Sequence, residues 1–331
     1  MLRCGSGNRE SNLVHRSIRI ATARRSSVHK LAVLAPYRLD LTVSALRRLS
    51  SNIVDVITPN GEYARVLGNP RAPVFVHVVQ TRPALLTVTL DGATRDRTHA
   101  LAIVRRMLGV DRDVNPFFRA ARRLPWLAPL AERMRGVKPP RYPTLWEACV
   151  NAIVFQQVSL LAATAIMRRL LIALATPYTR DDITLYQFPS AETFLNAPDR
   201  IGRAAGLSAN KLATLRRVCE ALASGALEEK MLEAHSSPDA AAQLTQIKGI
   251  GPWTATVILL RGLGRLDVFP MNDTSVARNL ALVAGDMPFD VATTLKSLGA
   301  QRGMLYYHLL LARLDARGDV GRASESTVVA V

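Results

Sequence analysis

The sequence predicts an α+β fold in which a small antiparallel-sheet domain precedes an all-helical region. Three short β-prone runs lie between Tyr63 and Leu90 and are separated by turn-forming residues, as is typical of consecutive antiparallel strands. From residue 116 onward, apolar residues recur at intervals of three and four, as helix packing requires. The 331 residues are enough for about two or three compact units.

Residues 1–35 are expected to form a basic, disordered arm. The first thirty residues are rich in Arg and Ser, and Glu10 is their only acid. The run Arg16–Arg25 also has the composition of an organellar transit peptide. A DNA-binding arm and an over-extended start of the reading frame fit equally well, and the sequence does not decide among these three.

Residues 36–115 are expected to form the α/β domain. Leu41–Leu49 and Thr98–Leu108 have the spacing of helices that cover one face of a sheet. The predicted strands are Tyr63–Leu67, Val74–Val79 and Leu85–Leu90.

Residues 116–317 are expected to be helical, because no β-strand signal follows Asp113. Residues 318–331 are expected to form a flexible tail. The predicted helices cover residues 117–123, 127–135, 144–174, 191–195, 199–205, 209–224, 238–247, 253–263, 275–282, 289–298 and 304–314.

The charge and the cysteines limit the classes of function. A formal net charge of +17 favours a polyanionic partner, with nucleic acid ahead of a membrane surface. No apolar run approaches the length of a membrane span. Cys4, Cys149 and Cys219 form neither a disulfide framework nor a paired metal motif, which fits a reducing compartment and excludes a four-cysteine iron–sulfur cluster.

The segment Leu244–Trp253 predicts two helices joined by a tight turn. Gly249 and Gly251 bracket that turn, because glycine adopts positive φ without a steric penalty. Pro252 suits the first turn of the second helix, where its missing N–H costs nothing. The exposed N–H groups at such a helix start form an anion site, and a phosphodiester is the natural ligand.

Asp273 follows the apolar run Val268-Phe269-Pro270 and precedes a further predicted helix. An acid at this place is a favourable helix N-cap, and alone it would be interpreted in that way. The order from Ile247 to Asp273 is a hairpin, a helix, an apolar loop, a proline and an acid. This order closely resembles the helix-hairpin-helix Gly/Pro-Asp superfamily of DNA glycosylases. The resemblance implies that Asp273 is the catalytic carboxylate.

A second stretch, Ala152–Ser159, resembles the motif that closes the base pocket in the bacterial 3-methyladenine DNA glycosylase II type. The resemblance implies that Gln156 faces the pocket. Gln157 stands where the family often has an apolar wedge that intercalates into the DNA stack. A glutamine can fill the space left by an extruded nucleotide, with less apolar contact than leucine.

The resemblance also implies roles at the hairpin. Trp253 occupies the position at which bifunctional relatives carry a Schiff-base lysine, so lyase chemistry is expected to be absent. Its ring face is expected to attract a cationic alkylpurine in the base pocket. Lys248, Gly249 and Gly251 are expected to hold DNA phosphate.

No cofactor is expected to be required. The resemblance implies that the backbone carbonyls of Thr245, Ile247 and Ile250 could hold a structural Na+ or K+ that bridges to a phosphate. His308 lies on an apolar helix and is expected to be structural.

The expected function is monofunctional excision of alkylated purines in base-excision repair. The expected partner is double-stranded DNA containing alkylated bases, bound by a monomer without a membrane. The expected location is the bacterial cytoplasm in association with the nucleoid, with organellar targeting by residues 1–30 left open. Two alternatives are a non-catalytic helix-hairpin-helix DNA-binding protein and a glycosylase for other damaged or deaminated bases. A membrane-surface protein would require a basic amphipathic helix with an aromatic apolar face, and the sequence shows no such pattern.

Overall fold

The computed structural model describes residues 26–180, 183–271 and 273–324. It confirms the α+β prediction, because an N-terminal antiparallel sheet is followed by a long series of helices. The strands are β1 (Ser26–Ala32), β2 (Val56–Ile57), β3 (Tyr63–Asn69), β4 (Ala72–Arg82), β5 (Leu85–Asp91), β6 (Pro177–Arg180) and β7 (Ile183–Tyr186).

Most of the remaining described chain is helical, with a short 3-10 turn at Gly299–Gln301. Among the described residues, no helix is both long enough and apolar enough to cross a bilayer. The helices are α1 (Leu39–Arg47), α2 (Thr94–Met107), α3 (Asn115–Ala121), α4 (Ala128–Arg133), α5 (Leu145–Val154), α6 (Leu160–Leu174), α7 (Ala191–Asn196), α8 (Asp199–Ala205), α9 (Ala209–Ala223), α10 (Glu229–Ala234), α11 (Ser237–Thr245), α12 (Pro252–Gly262), α13 (Thr274–Ala284), α14 (Val291–Leu298) and α15 (Gly303–Asp315).

The N-terminal sheet has the strand order β1-β5-β4-β3-β2, and every neighbouring pair is antiparallel. Side chains alternate between the two faces of a strand, and in β5 this alternation buries Leu86, Val88 and Leu90. Helix α2 packs against the sheet and buries Val104 completely in the same apolar cluster. A sheet with one face covered by a helix is the arrangement that the alternating strand pattern predicted.

The prediction of a single helix over residues 144–174 is wrong. The chain leaves the helix after Val154 and re-enters it at Leu160, where the Ser159 hydroxyl accepts a hydrogen bond from the Ala162 N–H and caps α6. Gln157 lies in this break with a φ of 53°, in the left-handed region that non-glycine residues rarely adopt. The break therefore forms an exposed corner between α5 and α6.

Helix α12 is shared by two apolar clusters. Ile258 and Leu259 belong to a cluster built mainly from α5, α6, α9 and α11. Leu260 belongs to a second cluster, built mainly from α1, α3, α4, α13 and α15. Because α12 is packed from both sides, the hairpin at its N-terminal end stands on a rigid support.

Buried charges join the sheet to the helical region. Arg65 of β3 donates to the Asp55 carboxylate at 2.6 Å and also pairs with Glu147 of α5, and all three side chains are buried. Arg261 of α12 donates to the carbonyl oxygens of Ala45 and Leu46 in α1, at 2.9 Å each. These contacts fix α5 and α12 relative to the N-terminal domain.

Both ends of the described chain are more ordered than expected. Residues 26–32, placed within the disordered arm of residues 1–35, form edge strand β1 paired with β5. Residues 1–25, which include the transit-peptide-like run, lie outside the described residues. The expected flexible tail of residues 318–331 begins with a packed segment. In this segment Ser324 donates its N–H to the Ile57 carbonyl at 2.8 Å and Asp319 is buried.

The sequence also gave no indication of the β6–β7 hairpin, which interrupts the helical region. This hairpin packs its Tyr178 ring against Phe75 of β4, with 5.5 Å between ring centroids. It therefore belongs to the packing of the N-terminal sheet, although it lies beyond residue 116.

Candidate active site and nucleic-acid interface

The turn between α11 and α12 forms where its glycines predicted it, but the expected positive φ is found at Gly249 and not at Gly251. The turn closes with a hydrogen bond from the Ile250 N–H to the Ile247 carbonyl at 2.9 Å. Gly249 has a φ of 104°, and a Cβ at this position would lie 1.9 Å from Thr214 Oγ1. Gly249 is therefore required both by its backbone conformation and by the close approach of α9.

Gly251 has a different environment. It is the N-cap of α12, and a Cβ built on it would meet no atom within 4 Å. Gly249, Gly251 and the Lys248 side chain are all exposed. The first N–H groups of a helix have no intrahelical partner, so this end of α12 offers donors to an anion from solvent. The Lys248 carbonyl is held from the side by the Arg217 guanidinium at 3.1 Å.

Asp273 caps a helix and also contacts the hairpin helix, and its catalytic role stays a prediction. One carboxylate oxygen accepts the N–H of Val276 at 3.3 Å and caps α13. The other oxygen accepts the indole N–H of Trp253 at 3.0 Å. The side chain is half-buried, so it is reachable from solvent. The carboxylate is therefore oriented from two sides, by a helix start and by the first turn of α12.

Gln156 joins the α5–α6 corner to the hairpin. Its side-chain amide donates to the Gly249 carbonyl at 3.1 Å and to the Thr254 hydroxyl at 2.7 Å. These bonds join the α5–α6 corner to the hairpin and to the first turn of α12, which also carries Trp253.

Gln157 stands apart from that network. Its side chain is exposed at the corner, and the neighbouring Val158 and Leu161 are also exposed. The corner and the hairpin are held together through Gln156. A polar tip flanked by two apolar side chains therefore projects beside the hairpin.

Two supporting residues were not predicted. Lys211 of α9 donates to the carbonyl oxygens of Val154 and Gln156, at 2.8 Å each, and so satisfies the C-terminal end of α5. Arg48 stacks its guanidinium over the Phe155 ring at 3.9 Å from the centroid. Each contact joins segments more than fifty positions apart in the chain, so no local pattern could have indicated it.

Two titratable side chains of α15, those of His308 and Tyr307, are buried in the core. His308 is fully buried and hydrogen-bonds the Met304 carbonyl at 2.8 Å, and burial lowers its pKa to about 4. Tyr307 is also buried and donates to the carbonyl oxygens of Pro140 and Leu260. Both side chains are fully buried and hydrogen-bonded to backbone carbonyls, which indicates a structural role.

The expected cation ligands are backbone carbonyls of the hairpin. The Ile247 carbonyl accepts one hydrogen bond within the turn and keeps a second lone pair. The residues fit a weakly held monovalent cation, and its presence stays a prediction. Within the described part of the chain, no group of three or more His, Cys, Asp or Glu residues could hold a metal ion.

Taken together, the site offers an oriented carboxylate, an aromatic ring beside it and an anion-binding helix start. A carboxylate in this setting can stabilise positive charge that develops on a neighbouring group, or can accept a proton from water. The catalytic, pocket and phosphate-binding roles of the individual residues stay predictions.

Comparisons with known proteins identify relatives of this chain. Residues 150–289 match the family model described as "HhH-GPD superfamily base excision DNA repair protein". A "Probable bifunctional transcriptional activator/DNA repair enzyme AlkA" of Mycobacterium tuberculosis is 30% identical over 270 residues, which cover 80% of this chain and 53% of that protein. The chain therefore spans about half the length of that relative.

The matches to two further relatives cover a larger share of those proteins. A "DNA-3-methyladenine glycosylase" of Bacillus subtilis is 23% identical over 220 residues, covering 66% of this chain and 73% of that protein. The solved structure of a 3-methyladenine DNA glycosylase from Archaeoglobus fulgidus matches with a TM-score of 0.72 and 21% identity. It covers 87% of this chain and 99% of that one, and it establishes the likeness of fold.

Proposed function

We propose that this chain, which belongs to the HhH-GPD superfamily of base excision DNA repair proteins, is a monofunctional DNA glycosylase that excises alkylated purines. The observation that carries the proposal is the hydrogen bond from Trp253 to Asp273. This bond holds a carboxylate beside an aromatic ring in the first turn of α12. The names of the relatives, which include DNA-3-methyladenine glycosylases, support the substrate class.

Double-stranded DNA would be held through its backbone. The exposed N–H groups at Gly249 and Gly251 and the Lys248 ammonium would contact phosphate without reading sequence. The net charge of +17 supports such binding over the rest of the surface. A Na+ or K+ on the carbonyls of Thr245, Ile247 and Ile250 would add a further positive charge beside the phosphate.

The damaged nucleotide would have to leave the helix stack before its glycosidic bond could be reached. Gln157 would enter the vacated space, with the exposed Val158 and Leu161 against the minor groove. Gln156, held against the hairpin by Gly249 and Thr254, would line the pocket that receives the base.

The bond between C1′ and the base nitrogen would then break in a dissociative step. Both electrons of the bond go to the base, which leaves neutral because the alkylated purine carried a positive charge. Positive charge develops on the sugar and is stabilised by the Asp273 carboxylate. Water adds to C1′ and gives up a proton, with Asp273 as the nearby acceptor, leaving an abasic site.

The Trp253 ring would contribute to selectivity for charged bases. A cation is attracted to an aromatic face by roughly 0.5–2 kcal/mol, and an undamaged purine lacks this interaction. Trp253 has no amine, so no covalent imine with the sugar can form at this position. The products would therefore be the free base and an intact strand with an abasic site.

One observation favours a second candidate, a DNA-binding module without chemistry. Asp273 caps α13, and this role alone would account for an acid at that position. The same hairpin could hold DNA in a protein that performs no reaction.

Base release from methylated duplex DNA separates the two candidates. We expect the purified chain to release 3-methyladenine, detected by chromatography, and to leave strands that break only after alkaline treatment. Breakage without alkali would contradict a monofunctional enzyme. Tight duplex binding with no free base would identify the binding module instead.

A further inference from the structure

The described chain contains a cavity of about 270 Å³ that is distant from the hairpin. It lies between the end of α2, the loop at residues 109–112 and the turn that follows α12, where Gly264 forms part of its wall. The hairpin begins at the other end of α12, which has eleven residues. A rise of about 1.5 Å per residue separates the two ends of this helix by about 16 Å.

Four arginines line this cavity, which we call the arginine cavity: Arg105, Arg106, Arg112 and Arg141. Asp111 is the one acid in its wall among the described residues. It pairs with Arg105, whose Nε donates to it at 2.8 Å. The wall therefore carries three more positive than negative charges.

Protein acceptors hold the other three guanidinium groups in place. Arg106 donates to Glu229 and to the Pro143 carbonyl, at 2.8 Å each. Arg112 donates to the Gly264 carbonyl at 2.7 Å. A guanidinium has five N–H donors in a fixed plane, so each of these groups retains donors after making these bonds.

Arg141 is the most deeply placed of the four. Its Nε donates to the Gly262 carbonyl at 2.9 Å, and its Nη2 reaches Glu233 at 3.0 Å. Burial lowers the pKa of its guanidinium, with Glu233 acting in the opposite direction. Its Nη2 also lies 3.3 Å from Glu229, so this partly buried cation has two acidic partners.

The net charge around the arginine cavity remains positive when the charged side chains next to its wall are included. Glu229 and Glu233 pair with Arg106 and Arg141 from outside the wall. Lys138 adds a cation whose Nζ donates to the Arg112 carbonyl at 2.9 Å, and the nearby Asp113 offsets it. The immediate set of nine charged groups therefore has a net charge of +1, with the surplus at the cavity wall.

We propose that the arginine cavity is a phosphate-binding site separate from the hairpin and the base pocket. Arginine forks match the tetrahedral oxygens of phosphate with paired hydrogen bonds, and several held forks in one concave wall favour a multivalent anion over a monovalent one. The volume accommodates a phosphate or pyrophosphate group but is below the usual range of larger ligand pockets. The phosphate could belong to a free phosphate compound or to the backbone of a DNA segment on this side of the protein.

The test is binding of inorganic pyrophosphate to the full chain, measured by calorimetry. The guanidinium fork of Arg105 is already paired with Asp111. Arg105→Gln therefore removes a positive charge and leaves Asp111 uncompensated in the wall, so we expect the affinity for pyrophosphate to fall at least about tenfold, because like charges repel. Asp111→Asn removes the acid from the wall, and we expect tighter binding. Arg95→Gln on the same helix is the matched control, because the Arg95 side chain is 87% exposed and lies outside the wall.

Affinity for undamaged duplex DNA then distinguishes the two sources of phosphate. A larger loss of duplex affinity in Arg105→Gln than in Arg95→Gln would identify the DNA backbone as the ligand. If both variants lose the same small amount of duplex affinity, and pyrophosphate binding is reduced only in Arg105→Gln, the ligand is a free phosphate compound. The proposal is overturned if the wild type shows no saturable pyrophosphate binding, or if neither Arg105→Gln nor Asp111→Asn changes it.

Discussion

Asp273 accepts a hydrogen bond on each of its two carboxylate oxygens. A carboxylate has two oxygens with two lone pairs each, so capping α13 through one oxygen leaves the other for the Trp253 indole. The cap fixes the position of the acid, and the indole fixes its rotation. A helix cap therefore provides the orientation that a charge-stabilising carboxylate needs.

Trp253→Phe tests the orienting role of the indole at the residue scale. The substitution keeps an aromatic ring but removes the N–H that Asp273 accepts. A hydrogen bond to a charged group is worth about 1.5–3 kcal/mol, so we expect single-turnover excision to slow by about ten- to a hundredfold while duplex affinity is kept.

The matched control for that variant is Trp126→Phe, in the cluster formed by α3, α4, α13 and α15. Excision by the control should stay at the wild-type rate. If Trp253→Phe excises as fast as the control, the indole hydrogen bond has no part in the reaction.

Gln157→Gly tests the wedge. The glutamine has a φ of 53°, and the left-handed conformation costs a non-glycine residue about 1–2 kcal/mol. Glycine relieves that cost but removes the side chain, so thermal unfolding should occur at the same or a higher temperature while excision falls at least about tenfold. Gln157→Leu restores the volume and should retain most of the activity. Undiminished excision by Gln157→Gly would show that this side chain does not fill the vacated stack.

At the residue scale, the hairpin glycines, Trp253 and Asp273 could be selected as candidate site residues from the sequence, because all of them lie within thirty positions of one another. The partners of Gln156 could not be predicted, because Gly249 and Thr254 lie more than ninety positions away and meet it only through packing of α5 against α12. The arginine cavity escaped prediction for the same reason. Arg105, Arg106 and Arg112 come from the end of α2 and the loop after it, but Arg141 comes from a later segment. In the sequence, the charges of all four are indistinguishable from ordinary surface charge.

At the scale of the element, the hairpin contains two glycines with different requirements. Gly249→Ala places a methyl group against Thr214 and strains a backbone at φ 104°, so we expect the free energy of unfolding to fall by about 1–3 kcal/mol. Gly251→Ala has an ordinary φ of −90° and open space around the new methyl group. Its stability should change by less than about 0.5 kcal/mol.

Duplex affinity should fall in Gly251→Ala although its stability does not. The methyl group of Gly251→Ala would stand where a phosphate approaches the helix start, so we expect duplex affinity to fall in a protein with unchanged urea denaturation. Wild-type affinity in that variant would place the DNA elsewhere on the surface.

The helices and strands differ from the predictions mainly where tertiary contacts override local pattern. The apolar spacing of residues 144–174 continues through the break at Gln157, because Phe155 and Leu160 both pack against apolar clusters. Strand β1 was missed because it follows a stretch rich in Arg and Ser and is ordered by pairing with β5. Strands β6 and β7 were missed because they have four residues each and are ordered by packing against the sheet. Helices with clear spacing and a capping residue, such as α9 after Ser208, were placed within a residue or two.

At the scale of the whole molecule, the Arg65–Glu147 pair connects the sheet to the helix that ends beside the site. Burial raises the pKa of Glu147 to about 7, with Asp55 adding to the effect and Arg65 opposing it. Despite its own burial, the pKa of Arg65 is raised by the two carboxylates, so the guanidinium stays charged and Glu147 takes up the proton. Two buried acids thus share one cation.

This arrangement predicts that stability falls as pH rises. The folded chain binds the Glu147 proton up to about pH 7, whereas the unfolded chain releases it near the ordinary value of 4.5. Between these values the folded state holds more protons, so the free energy of unfolding should decrease by up to about 3 kcal/mol from pH 5 to pH 8. Glu147→Gln mimics the protonated form and should flatten this dependence in urea titrations. An equally steep decrease in the variant would assign the effect to another group.

The central claim is that Asp273 performs chemistry in addition to capping a helix. The most direct measurement is the rate of 3-methyladenine release from methylated duplex DNA by the wild type and by Asp273→Asn, with duplex affinity and unfolding measured on the same samples. Asparagine caps a helix as well as aspartate does, so folding and DNA binding should be unchanged. We predict release by the wild type and loss of release in the variant. Equal release by both proteins would contradict the claim.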